Sequence, residues 1–137
     1  MLVSAMVFAV LALLTVLLHL AFILFVIFGG LAVARRPRLA PLHLACAVWG
    51  AYVSLAGRIC PLTPLENWFR RQGGGTGYAG DFLEHYLLAV IYPTGLTAAT
   101  QRWLGAGVIV LNAAVYAWIL RARRASARPP DVTPPEA

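Results

Sequence analysis

Residues 2–33, LVSAMVFAVLALLTVLLHLAFILFVIFGGLAV, contain no charged side chain. A helix needs roughly 20 apolar residues to cross hydrocarbon, and this run exceeds that length. It lacks the basic start of a secretory signal and is about twice as long as a signal's apolar core, so it reads as a retained span. The rest of the chain agrees. Of 137 residues, 61% are hydrophobic and 12% charged, about half the charged fraction of a soluble domain. The length allows one domain and no second core.

Three further segments have membrane character. Residues 41–59 follow the break Arg35-Arg36-Pro37-Arg38, residues 82–99 form a weaker run, and residues 103–120 end in Arg121-Ala122-Arg123-Arg124. These spacings predict an all-α membrane protein, a four-transmembrane-helix bundle over residues 1–124. The third span carries Glu84 and His85 near its start and Pro93 inside it, so it is expected to kink and pack against protein. Residues 125–137 hold four prolines, two acids and no large apolar residue except Val132, the composition of a disordered tail.

The basic residues are 11 arginines and no lysine, for a net charge of +6. They cluster in the polar breaks between apolar runs, as in membrane-protein loops, which argues against nucleic acid as a partner. Four crossings divide them seven to four in favour of the side that holds both termini, so both termini are expected in the cytoplasm. Cys46 and Cys60 lie fourteen residues apart. On one helix that spacing is about 21 Å, which excludes a bridge between them.

Helical spacing marks the protected faces. Ser4, Thr15, His19 and Gly30 fall within about 80° on the first span. His43, Cys46, Gly50, Ser54 and Gly57 do the same on the second, and Gly105, Asn112 and Tyr116 on the fourth. Small and hydroxyl residues there permit close helix approach, and the polar ones supply interhelical hydrogen bonds.

Between spans two and three lies Cys60-Pro61-Leu62-Thr63-Pro64-Leu65-Glu66-Asn67-Trp68-Phe69. Thr63 and Glu66 have capping-box spacing, with Pro64 at the first helical position. This predicts a short interfacial helix over 64–71, apolar at Leu65, Trp68 and Phe69 and closed by Arg70, Arg71 and the glycines 73–75. Asp81 and Glu84 repeat the box at the start of the third span. The glycine-rich 73–77 lacks the lysine of a phosphate loop and reads as a hinge.

The motifs GRICPLTPLENWFRR and GYAGDFLEHYLLAVIYP, with a histidine-bearing first span ending in Phe28-Gly29-Gly30 and with His43 opening the second, resemble the bacterial membrane family known as domain of unknown function 2784. The resemblance covers about residues 10 to 120. It carries over His19, Gly30, His43, Cys60, Pro61, Thr63, Glu66, Tyr78, Phe82, His85, Tyr86 and Pro93. It implies a small integral protein of the inner membrane and no established activity.

Ionisable residues inside spans are functional candidates because their burial without a partner is costly. Counted at 1.5 Å per residue, His43 sits about 10 Å from the bilayer centre on the Arg35 side, His19 near the centre, and His85 about 9 Å toward the other face. His19, Cys60, Glu66 and His85 are therefore expected to converge at one end of the bundle. The leading expectation is a non-catalytic accessory or binding subunit of a larger membrane complex or a homo-oligomer. An alternative is an electron-transfer protein holding haem b between His19 and His85. A metal held by His19, Cys60, Glu66 and His85 has the right ligand types but no tight ligand motif. A thiol enzyme would use Cys60 as nucleophile with His85 as base. In the plain alternative, each histidine fixes helix register through a hydrogen bond to its neighbour.

Overall fold

The computed structural model describes residues 2–88 and 97–126, without the side chains of residues 87 and 88. Helix α1 covers Leu2–Arg35 and is followed by a single 3-10 turn, Pro37–Leu39. Then come α2, Ala40–Leu55, α3, Leu62–Gln72, a π-helical turn at Leu83–Leu88, and α4, Ala98–Ser126. No strand occurs among the described residues.

The boundaries follow local chemistry. α1 is an unbroken apolar run that stops before Pro37, because the residue preceding proline is driven out of the helical region. Pro41 lies in the first turn of α2, where a missing N–H costs nothing. α2 ends as the chain reaches Gly57, at φ +60°, a left-handed conformation that glycine adopts freely. The helix resumes only after Pro61.

The pairing along α1 reveals the topology. A side chain at Gly29 would strike His43, and Gly50 packs on Phe22 and Val26. Further along, the Trp68 ring lies 5.9 Å from Phe8, and Gly73 approaches the backbone of Ala5 and Ala9. Partner numbers on α1 fall steadily as the chain advances from 43 to 73. α2 and α3 are thus one antiparallel path along α1, interrupted at residues 56–61. α3 continues the line of α2 along α1, and it covers the expected short helix over 64–71. Thr63, Glu66 and Asn67 are buried, whereas Leu65 and Trp68 are 42% and 47% exposed.

α4 runs parallel to α1 and antiparallel to α2. Asn112 Nδ2 donates to the Val26 carbonyl at 3.2 Å and to the Val108 carbonyl at 2.9 Å. A Cβ at Gly30 would sit 2.6 Å from Val115, and one at Gly105 would press on Ser54 and Leu55. Leu2 and Ser126 therefore lie at opposite ends of the described molecule, so the expectation that both termini share a side finds no support here. The Arg35–Arg38 turn and Arg121–Arg124 now share one end.

The expected span at 82–99 also changes. A straight helix over those residues would separate its ends by about 27 Å. Instead, Gln101 Nε2 lies 3.5 Å from Asp81 Oδ2 and 3.4 Å from the Arg58 carbonyl, so the residues flanking the segment are neighbours and the described residues do not bear out a four-span bundle. Residues 89–96, including Pro93, lie outside the described residues, as does the expected tail from residue 127 onward. α2 has 16 residues, short of a full crossing by itself.

Two helices, α1 and α4, are long and apolar enough to cross a membrane, and only 22% and 17% of their most apolar stretches are buried. Most of the leucines of α1, and Trp103 and Trp118 of α4, are exposed, whereas Val26 and Val33 are buried.

Candidate functional site

The break between α2 and α3 organises the polar interior. Cys60 is buried at the end of the break and Asp81 faces it from the loop after α3. Asp81 accepts hydrogen bonds from the backbone of Phe82 and Leu83, so its half of the second predicted box does form a local cap. No hydrogen bond from Glu84 accompanies it; its carboxylate lies over Gly80, at φ +89°.

A cavity of about 160 Å³ opens beside this break. His19, Cys60, Asp81, Ser54 and Gln101 supply its polar wall. Phe22, Val26, Trp49, Val53, Leu104 and Val108 are among its apolar walls, drawn from α1, α2 and α4. His19 is 4% exposed, and among the described residues its Nδ1 has no hydrogen-bond partner. Phe82 stacks on the imidazole at 4.1 Å between ring centroids. A buried polar atom without a partner is costly, so this nitrogen is the unsatisfied polar atom of the cavity-lining side chains.

The second cluster centres on Glu66, which is fully buried. Arg70 Nε donates to Glu66 Oε1 at 2.8 Å, the Tyr86 hydroxyl donates to the same oxygen at 2.6 Å, and the Tyr78 hydroxyl donates to Oε2 at 2.9 Å. Arg70 also donates to the Tyr86 hydroxyl. Asn67 clamps the Tyr78 backbone in both directions, at 3.0 Å and 2.9 Å. Burial and the bond to Glu66 push the Tyr78 hydroxyl well above its ordinary value. The knot ties α3 to the loop and to the π-helical turn, a structural duty for which a satisfied buried carboxylate is suited.

This geometry corrects the expected capping box. α3 begins at Leu62 behind Pro61 and has no side-chain cap. Thr63 Oγ1 is buried without a partner. Glu66 turns away from the helix start because two tyrosines and an arginine compete for its oxygens.

The expected convergence of His19, Cys60, Glu66 and His85 is only partial. His19 and Cys60 share the cavity, while Glu66 and His85 are not among its walls. His85 is exposed and stacks face to face on Tyr78 at 3.8 Å. Among the described residues no three His, Cys, Asp or Glu side chains gather as a metal site. His85 therefore does not join His19 or Cys60 in this cavity, which gives no support to the haem pair or to the thiol–imidazole pair.

His43 belongs to a third environment. It is fully buried, shares a 3.0 Å hydrogen bond with Tyr116 through Nδ1, and meets the edge of Phe25. Its Nε2 has no partner. This is the register-fixing role expected of a histidine between packed helices. The roles of Arg70 and Asn67 went unread, since an arginine four residues after a glutamate looks like a surface pair until the tyrosines are seen to enclose it.

Fold and site together define an all-helical protein with two membrane-length helices and a polar site at a helix break. The chain belongs to the family described as Protein of Unknown function (DUF2784), whose model matches residues 9–117. No curated protein and no solved structure matches it.

Proposed function

We propose that this is a multi-pass protein of the bacterial plasma membrane that acts by binding rather than by catalysis. The cavity at the α2–α3 break is its ligand site. The membrane reading is supported by the outward-facing apolar surface of α1 and α4: a soluble core helix of that hydropathy is mostly buried, and these are mostly exposed, far beyond the apolar patches that soluble monomers tolerate.

The observation that carries the binding reading is His19, which lines a cavity whose other walls are chiefly apolar and whose buried Nδ1 has no partner among the described residues. A dry cavity of about 150 Å³ accepts a benzene-sized ring. The ligand is therefore a membrane-soluble molecule that inserts a ring of that size carrying one hydrogen-bonding oxygen, such as a phenol or a quinone. Broken helices serve the same end elsewhere, since irregular backbone at membrane depth is tolerated where it lines a cavity.

Trp49 lies in the cavity wall and provides the test. A protein retaining Trp49, with Trp68, Trp103 and Trp118 replaced by phenylalanine, is titrated in detergent with 1,4-benzoquinone. Saturable quenching that disappears in His19→Leu supports the site. Quenching that rises linearly and equally in both proteins, with helix content unchanged, overturns it.

A further inference from the structure

Parallel packing of α1 and α4 gathers charges that the linear sequence holds far apart. The Gly30–Val115 contact sets a common depth. Arg35 lies five residues beyond it on α1, and Arg121 six residues beyond it on α4, which places them about 7.5 Å and 9 Å past the same point. Arg36 and Arg38 sit in the adjoining turn, and Arg123 and Arg124 on the last turn of α4. All six are exposed. The described acids, Glu66, Asp81 and Glu84, lie in α3 and in the segment that follows it, at the break or beyond it, so this end carries six positive charges with no described acid among them. Trp118 stands one turn before Arg121 and is 57% exposed, the position of a ring at headgroup depth.

We propose that this six-arginine end is a seat for anionic phospholipid headgroups of the cytoplasmic leaflet, which holds the end of α4 on that side and the start of α1 on the other. Guanidinium groups bind phosphate oxygens through paired donors, and basic clusters next to a membrane span are drawn to anionic leaflets. The remaining described arginines, Arg58, Arg70, Arg71 and Arg102, are set against three acids, so among the described residues this end exceeds the rest in net charge by six minus one, or five. The excess of arginine fixes the cytoplasmic side. The inference rests on the membrane half of the proposed function and is independent of the cavity.

The full chain, retaining Trp118 as its single tryptophan, is reconstituted into phosphatidylcholine vesicles doped with phosphatidylglycerol. Bromine is carried on one lipid or the other. The expected result is several-fold stronger quenching by the brominated anionic lipid, falling to parity when Arg35, Arg36, Arg121, Arg123 and Arg124 are all changed to glutamine. Equal quenching by both lipids in the unaltered protein overturns the seat, while protein that washes off the vesicles in alkaline carbonate overturns the membrane reading itself. In cells, Val3→Cys and Ser126→Cys, each in a Cys46→Ser/Cys60→Ser background, label with an impermeant maleimide from opposite sides. Labelling from the same side overturns the orientation.

Discussion

Gln101 Nε2 and Asp81 Oδ2 stand 3.5 Å apart across twenty residues of chain. The segment that looks like a third crossing therefore begins and ends in the same place. A double variant, Asp81→Cys with Gln101→Cys in a background lacking Cys46 and Cys60, is expected to crosslink rapidly with a short bismaleimide. A through-spanning helix would hold those positions about 30 Å apart, and no crosslink would form. Mobility of the reacted protein on a denaturing gel decides between them.

The Glu66 knot makes a second, quantitative prediction. Glu66→Ala strips the acceptor from Arg70, Tyr78 and Tyr86 together, and breaking a buried pair from one side costs about 3 kcal/mol or more. Tyr78→Phe removes one hydrogen bond to a charged group and is expected to cost about 1.5 kcal/mol. Thr63→Val separates the knot from a capping box. A cap would lose about 1 kcal/mol, whereas an unpartnered buried hydroxyl exchanged for a methyl is neutral or stabilising. Thermal unfolding in detergent measures all three.

Much of this architecture was legible in the chain. The apolar runs gave the all-helical class, and the small and polar stripes on the first, second and fourth spans do face neighbours: Gly30 meets Val115, Gly50 meets Val26, and Asn112 bonds α1. What escaped was order in space. Hydropathy counts crossings along a line and cannot see that 81 and 101 return to one point, so the arginines of residues 35–38 and 121–124 were assigned to opposite sides. The Glu66 site was legible as an important carboxylate, but its partners come from residues four, twelve and twenty positions away. Capping-box spacing is a local signal, and long-range donors overrode it.

Gly29 tests the packing of His43. A Cβ there would collide with the His43 ring and with Phe25, so Gly29→Ala is expected to cost about 2 kcal/mol, typical of overpacking. In a His43→Ala background one of the two obstacles is gone, and the same substitution should cost less. The difference between the two costs is the coupling energy of a double-mutant cycle. Purely additive losses would show that the imidazole is not the group Gly29 accommodates.

Cys60 gives a prediction in reactivity. The residue is only 6% exposed, and a thiol reacts only where reagent reaches it. In a Cys46→Ser protein, iodoacetamide is therefore expected to label Cys60 far more slowly in the fold than in denaturant. Rapid labelling at neutral pH would instead mark an activated thiolate and return the thiol-enzyme reading to the front.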